Sequence, residues 1–161
     1  MIDTHAHIYA SEFDQDREQV VQRALAQGIN QILLPNIDLD SIQPMLATEA
    51  QFPNICRSMM GLHPCYVDQD VEQTLATIHS WFDKHNFIAV GEIGIDLYWD
   101  KTFKAEQEYA LTTQLNWAKE KNLNSIQTTV WNCNTDAHRF YLDQGFTPVV
   151  QKLELELPPD R

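Results

Sequence analysis

Apolar positions in the first two thirds of the chain follow two alternating periods. Four short runs rich in apolar residues predict strands: 2–8, 31–37, 56–62 and 87–95. The stretches between them carry apolar side chains three and four positions apart and predict amphipathic helices: 13–27, 40–50, 71–84 and 104–121. The spacing of about thirty residues from one strand to the next is that of a βα unit. The sequence therefore predicts four consecutive βα units.

Strands that alternate with helices predict an α/β fold with a parallel sheet and right-handed crossovers. Two architectures fit four such units: an open doubly wound sheet, or half of a (β/α)8 barrel. In both architectures functional side chains gather at the carboxyl ends of the strands. Five polar residues fall at or near those ends: His7, Asn36, His63, Glu92 and Asp96. Their recurrence at one rim of the sheet predicts a site there.

The last part of the chain follows a different pattern. Residues 136–143 fit a short helix, with Gly145 placed to end it. Apolar and polar side chains alternate over 147–157, which predicts a half-exposed strand, antiparallel or at the edge of the sheet. We expect this strand–helix–strand segment to complete a single domain and to add two strands to the sheet. Because a half-barrel leaves two strand edges open, we also expect the chain to self-associate as a homodimer.

Composition limits the partners and the location of the protein. A net charge of −12 argues against non-specific nucleic-acid binding through a basic surface, although it leaves open a phosphate ester held by a metal. The three cysteines, Cys56, Cys65 and Cys133, form no C-x-x-C pair and fit a reducing compartment. No apolar run has the length of a membrane span and no signal-peptide pattern opens the chain. We therefore expect a cytoplasmic protein that does not enter a membrane.

Two histidines one residue apart, His5 and His7, indicate a metal site. In a strand they share one face, and neutral imidazole is the commonest metal ligand, although each histidine taken singly is as readily an ordinary polar residue. With Glu92 they form a set of ligands that suits zinc, manganese or iron. Asp96 is predicted to support a ligand or to handle a proton. His63 is predicted to contact an anionic substrate or to accept a proton.

Three motifs resemble the TatD family of metal-dependent deoxyribonucleases. They are Ile-Asp-Thr-His-Ala-His at 2–7, Gly-Leu-His-Pro at 61–64, and Val-Gly-Glu-Ile-Gly-Ile-Asp-Leu-Tyr at 90–98. The resemblance covers residues 1–123 and implies a (β/α)8 barrel with a two-metal site that hydrolyses phosphodiesters, including DNA. It implies that the metal is zinc, manganese or magnesium and that its ligands are His5, His7 and Glu92. It also implies that His63 lies near the substrate phosphate.

The chain departs from this family after residue 123. The family's further ligands, on its fifth, sixth and eighth strands, have no counterpart in the sequence. A complete barrel needs about 250 residues, so this chain holds about half of one. The incomplete set of ligands predicts little or no catalytic activity. An active metal-dependent hydrolase with a reduced site is the alternative.

Residues 125–157 resemble the C-terminal end of a GNAT N-acetyltransferase, through the segments 130–141 and 145–146. The resemblance implies a strand, a short helix and a final strand, with Asn134 and Tyr141 near coenzyme A. The glycine-rich turn that holds the pyrophosphate in that family is absent, so an acyl-CoA-dependent transferase is the least favoured function. Tyr141 is predicted to be a core aromatic residue. Taken together, the two resemblances predict a chimera, natural or engineered.

Overall fold

The first unit of the chain is built on a parallel sheet in the computed structural model. The structure describes residues 1–98, 100–121, 135–143 and 145. The chain divides into two compact units, Met1–Thr128 and Thr129–Arg161. The sheet has four strands in chain order, β1-β2-β3-β4, and every neighbouring pair is parallel. This confirms the predicted α/β half-barrel arrangement, whereas the single-domain interpretation stays a prediction.

The elements of the first unit follow the predicted order but are shorter. In chain order they are β1 (Ile2–Asp3), α1 (Arg17–Ala26), β2 (Gln31–Pro35), α2 (Ile42–Gln51), β3 (Cys56–Met60), α3 (Val71–His79), β4 (Ala89–Val90) and α4 (Lys104–Glu120). Single turns of 3-10 helix lie at Ser11–Phe13, Pro64–Tyr66 and Ser80–Asp83. The predicted helix 71–84 is shortened because the turn at Ser80–Asp83 occupies its end, and the predicted helix 13–27 begins only at Arg17, after the turn at Ser11–Phe13.

The first and fourth strands end early because the chain leaves the ladder to form loops. After β4, the amide of Gly91 still donates to the Met60 carbonyl at 3.0 Å. The next amide, that of Glu92, instead donates to the Asn36 carbonyl at 2.9 Å, beyond the end of β2. The chain therefore crosses over the end of β3 at this point. The predicted strand 87–95 extended too far because sequence periodicity does not report this crossing.

The helices cover one face of the sheet. On β2 and β3 alternate residues point toward them, and Ile32, Leu34, Cys56 and Met60 are at most 2% exposed. Buried side chains from the helices pack against this face: Val21, Met45, Leu75 and Ile78. Leu25, one of the apolar residues on which the predicted helix 13–27 rests, is instead 44% exposed. This packing holds the sheet against the helices, and the loops at the carboxyl end of the sheet carry the polar side chains of the predicted site.

In the second unit the structure describes one helix, α5 (Thr135–Asp143). It confirms the helix predicted at 136–143, and Gly145 follows it with a φ of 85°, a conformation that favours glycine. Tyr141 is buried, as predicted. The predicted strand 147–157 lies outside the described residues. Across the described part of the chain, no helix has both the length and the apolar character that crossing a membrane requires.

Candidate metal centre

Three predicted ligands converge at the carboxyl end of the sheet. His5 Nε2 lies 3.0 Å from His7 Nε2. Glu92 Oε2 lies 3.2 Å from His5 Nε2 and 3.4 Å from His7 Nε2. The two histidines follow β1 and the glutamate follows β4, so the curl of the sheet closes this cluster. The predicted shared orientation of the histidines holds although both lie beyond the end of β1.

The spacing of these three atoms fits a metal ion. In a tetrahedral site with bonds of about 2.0–2.1 Å, neighbouring ligand atoms lie roughly 3.3 Å apart. The three observed separations, 3.0, 3.2 and 3.4 Å, bracket that value. Two imidazole nitrogens and a carboxylate oxygen also match the ligands of catalytic zinc sites. His5, His7 and Glu92 would hold such an ion, which would supply a Lewis acid at this rim of the sheet.

Tyr9 determines which nitrogen of His7 faces the cluster. The Tyr9 hydroxyl donates its one proton to the Pro35 carbonyl at 2.6 Å. It must therefore accept from His7 Nδ1, which lies 2.8 Å away. The neutral ring of His7 then carries its proton on Nδ1 and leaves Nε2 free to bind a metal. Burial raises the pKa of Tyr9 above its ordinary value, so the hydroxyl keeps its proton at neutral pH.

Sequence inspection did not identify Tyr9 as part of the site. A signal was available, because Tyr9 stands two positions after His7, the same spacing that relates the two histidines. In an extended chain residues two apart share a side. A hydrogen-bonding side chain at that position is a candidate partner for a ligand histidine.

His63 points its Nε2 atom at the same cluster. The Cys65 amide donates to His63 Nδ1 at 3.1 Å, so the neutral ring carries its proton on Nε2. That atom lies 3.5 Å from Glu92 Oε1. Burial lowers the pKa of His63, and the nearby charges of Glu92 and Asp96 oppose this only in part. In this tautomer the ring donates a hydrogen bond, which favours contact with an anionic oxygen over acceptance of a proton.

Glu92 is ionised within this group of histidines. Burial by itself raises the pKa of Glu92, but its interactions with the neighbouring imidazoles of His7, His63 and His5 outweigh it. The net result is a pKa below the ordinary value of the group. The side chain is 25% exposed and is therefore accessible from solvent. An ionised, partly exposed carboxylate is the form that binds a cation.

Asn36 lies directly after β2, at the predicted rim, but its side chain takes no part in the cluster. Its side chain is fully buried, at 0% exposed. Its Nδ2 donates to the Gly61 carbonyl at 2.7 Å and to the Asp38 carbonyl at 2.9 Å. Its own carbonyl accepts the amide of Glu92. Asn36 therefore holds the ends of β2, β3 and β4 together beneath the cluster and does not face a substrate.

Asp96 contacts the loop after β3. Its Oδ2 lies 3.4 Å from Cys65 Sγ, and its Oδ1 accepts the amide of Tyr98 at 2.9 Å. These contacts place Asp96 beside the loop that carries His63. The predicted role of Asp96 in supporting a ligand or handling a proton stays a prediction.

We expect Cys65 to react slowly with iodoacetamide although it is exposed. Burial of the sulfur and its hydrogen bond to Asp96 raise the pKa of the thiol to about 11. At pH 8 only about one molecule in a thousand then carries the thiolate. The variant Asp96→Asn removes the neighbouring charge and should accelerate alkylation of Cys65 about tenfold. Mass spectrometry of the Cys65 peptide measures the rate.

A second cysteine provides the control for this experiment. Cys56 is fully buried, and burial raises the pKa of its thiol to about 11, so it should stay unmodified in both proteins. Equal alkylation rates at Cys65 in the wild type and the variant would contradict the contact with Asp96.

Parallel βα units with two histidines and a glutamate clustered at the carboxyl ends of the strands define the class, a barrel-type fold with a candidate metal site. The sequence model of the family described as TatD related DNase matches residues 2–126. The chain belongs to this family.

Similar proteins in other organisms agree with this assignment. The "Uncharacterized metal-dependent hydrolase YabD" of Bacillus subtilis is 32% identical over 123 residues, which are 76% of this chain and 48% of the relative. The "3'-5' ssDNA/RNA exonuclease TatD" of Dickeya dadantii is 31% identical over 153 residues, 95% of this chain and 56% of the relative. The chain thus spans about half the length of the curated relatives it matches.

Two crystal structures share the fold. The TatD homologue YjjV of Escherichia coli k12 has a TM-score of 0.66 and 28% identity, and the match covers 76% of this chain and 48% of that one. A TatD family hydrolase from Entamoeba histolytica has a TM-score of 0.66 and 18% identity, and the match covers 90% of this chain and 54% of that one. The second likeness bears on the fold alone.

Proposed function

We propose that this chain binds one divalent metal ion through His5, His7 and Glu92 and carries part of a phosphodiester-hydrolysing centre. The observation that carries the proposal is the set of ligand separations of 3.0, 3.2 and 3.4 Å. The Nε2 proton of His63, aimed at the same cluster, is suited to contact a phosphate oxygen. Asp96, beside the His63 loop, is proposed to handle a proton.

The proposed substrate class is the phosphodiester of a nucleic acid. Support comes from the family, described as TatD related DNase, and from the relative described as an ssDNA/RNA exonuclease. The net charge of −12 weakens any binding that depends on the charge of the protein surface. Substrate binding would therefore depend chiefly on the metal and on His63.

The proposed metal is zinc or manganese in preference to magnesium. Magnesium favours oxygen ligands in octahedral geometry, whereas two of the three proposed ligands are imidazole nitrogens. The family's further ligands have no counterpart in this sequence, so we propose little or no turnover by the chain alone. An active hydrolase with a reduced site is the alternative.

Three further predictions concern the chain as a whole. A chimera with a GNAT-like segment, and with it an acyl-CoA-dependent transferase, rests largely on residues outside the described part of the chain. The similarity to the Dickeya dadantii relative runs over 95% of this chain, which favours a single family origin.

A homodimer is supported by the open outer edges of β1 and β4 among the described strands. The cytoplasmic location stays a prediction from cysteine usage.

Native mass spectrometry with zinc, manganese or magnesium supplied tests metal binding and counts chains together. We expect one ion per chain in the wild type and a loss of at least about 100-fold in affinity when His5 and His7 are both replaced by alanine. The variant His79→Gln changes a histidine on α3 outside the cluster and should bind like the wild type. Absence of bound metal in every oligomeric state would contradict the proposal.

Turnover assays separate the remaining functions. Bis(p-nitrophenyl) phosphate and a single-stranded DNA oligonucleotide are the substrates. Metal binding without turnover supports a site that only holds the ion. Turnover that His5→Ala abolishes supports the active hydrolase. Binding of acetyl-CoA in the same buffers would instead support the transferase.

A further inference from the structure

Two buried glutamines lie on the inner face of α4. Gln107 is 5% exposed and Gln114 is 1% exposed. They stand seven residues apart, about two helical turns, so both lie on the same side of the helix. A buried amide is costly unless both its oxygen and its nitrogen find partners. The partners of these two side chains therefore show what the glutamines do.

Gln114 forms hydrogen bonds with both the backbone N–H and the backbone carbonyl of Leu62, in the loop after β3. Its Oε1 accepts the Leu62 N–H at 2.6 Å, and its Nε2 lies 3.3 Å from the Leu62 carbonyl oxygen, to which it donates. Leu62 is itself 1% exposed. The next residue in the chain is His63, so Gln114 holds the backbone from which the His63 ring projects.

Gln107 makes the same pair of bonds to the loop after β4. Its Oε1 accepts the Asp96 N–H at 2.9 Å, and its Nε2 donates to the Asp96 carbonyl at 3.0 Å. This loop also carries Glu92, four positions earlier in the sequence. The pattern at Gln107 therefore repeats the pattern at Gln114, on the second loop that supplies side chains to the cluster.

We infer that Gln107 and Gln114 are positioning residues through which α4 fixes the two loops that carry His63, Glu92 and Asp96. Beyond Met60 and Val90, single backbone bonds still hold the His63 and Glu92 amides, to the carbonyls of Ile37 and Asn36. The amides of Leu62 and Asp96 are instead held by the two glutamines. Each glutamine supplies the one donor and one acceptor that a neighbouring strand would otherwise offer. The consequence for hydrolysis rests on the proposed function, whereas the hydrogen bonds themselves do not.

A purely structural role makes a different prediction. If the glutamines only filled the core, replacing one would weaken the whole fold and expose every core amide to exchange alike. If they position the loops, replacing one should release the amide that it binds and leave the amides of the strands protected. Residue-resolved amide exchange distinguishes these two cases and requires neither metal nor turnover.

The wild-type protein supplies the first measurement. Nuclear magnetic resonance should show the Leu62 and Asp96 amides exchanging at least about 100-fold more slowly than amides of exposed turns. A scalar coupling through the hydrogen bond should connect the Leu62 nitrogen to the side-chain carbonyl carbon of Gln114. Fast exchange at both amides, with no such coupling, would overturn the inference without any variant.

The variants Gln114→Met and Gln107→Met supply the second measurement, because methionine keeps the length of the side chain but forms neither bond. We expect Gln114→Met to accelerate exchange at Leu62 at least about tenfold with Asp96 unchanged, and Gln107→Met to do the reverse. Gln73→Met makes the same change at an exposed position of α3 and should alter neither amide.

Each outcome of the variants decides for or against the inference. Equal acceleration of all core amides, or no acceleration at either loop, overturns it. If a variant does not fold, the wild-type exchange rates and coupling decide.

Where the chain turns over a phosphodiester, the variants should lower kcat about tenfold with KM within about threefold. Absence of metal binding in every protein would overturn the proposed function and leave the exchange result standing.

Discussion

Replacing Gly61 with alanine is expected to destabilise the fold by about 2–3 kcal/mol and to remove metal binding. A Cβ atom at this position would lie 2.7 Å from the Glu92 carbonyl oxygen and 2.7 Å from the Gly91 carbonyl carbon. Both are backbone atoms, which cannot turn aside as a side chain can. The peptide that carries Glu92 must therefore move, and the separations of 3.2 and 3.4 Å to the two histidines would be lost.

Gly91→Ala is the matched control for this experiment. A Cβ atom there would meet the end of the Met59 side chain, Cε, at 3.2 Å, and that atom can shift. We expect a cost of about 1 kcal/mol or less and retained zinc binding. Urea unfolding measures the stability, and competition with a chromophoric chelator measures the zinc affinity. If Gly61→Ala matched the control in both measurements, the close approach of these two loops would be contradicted.

Replacing Tyr9 with phenylalanine is expected to lower metal affinity about 10- to 100-fold. The change removes the oxygen that accepts the proton of His7 Nδ1 at 2.8 Å and keeps the ring. Without that partner, the His7 proton is free to move to Nε2, which then cannot bind a metal. The variant also leaves the Pro35 carbonyl without its donor, which should reduce the free energy of unfolding by about 1–2 kcal/mol.

Nitrogen-15 shifts of the imidazole of His7 report its tautomer directly, and competition titration reports the affinity. In the wild type we expect the proton on Nδ1, and in the variant a mixture of the two tautomers. Tyr109→Phe removes a hydroxyl from an exposed position of α4 and should change neither quantity. An unchanged tautomer together with unchanged affinity in Tyr9→Phe would show that another group orients His7.

The two predictions concern different routes by which the fold supports the ligands. Gly61 acts through the backbone, because it lets the end of β3 approach the peptide that carries Glu92. Tyr9 acts through one side chain, because it selects the nitrogen that His7 presents. If Gly61→Ala kept its metal affinity while Tyr9→Phe lost affinity, Glu92 would have adjusted its position and the tautomer of His7 would still limit binding.

Much of the fold could be predicted because its signals are local. Apolar residues at a period of two along β2 and β3, and at three and four along α1 to α4, each report burial within a few residues. The grouping of His5, His7 and Glu92 could also be predicted. In a parallel sheet built from βα units, the carboxyl ends of all strands lie at one rim, so these residues were expected at the same rim. Their close approach follows from the curl of the sheet, because β1 and β4 are the outer strands of the four.

The details of the rim could not be predicted, since they depend on hydrogen bonds between distant residues. Asn36 has the same place in the strand pattern as the site residues, yet its side chain bonds to Gly61, twenty-five positions later, and is buried. In the sequence, Gln114 is one polar residue within a predicted helix. Only its hydrogen bond to Leu62, fifty-two positions earlier, explains why it is buried. No local pattern reports such partners.

By itself, the sequence determined that this protein has four βα units and placed His5, His7 and Glu92 at one end of them. Hydrophobic periodicity and strand topology suffice for that, because they require only that each element bury its apolar face. The tertiary structure alone decided where β1 and β4 end, that Tyr9 orients His7, and that α4 binds both loops. Those features arise from directional hydrogen bonds, which form only after packing has brought distant residues within about 3 Å.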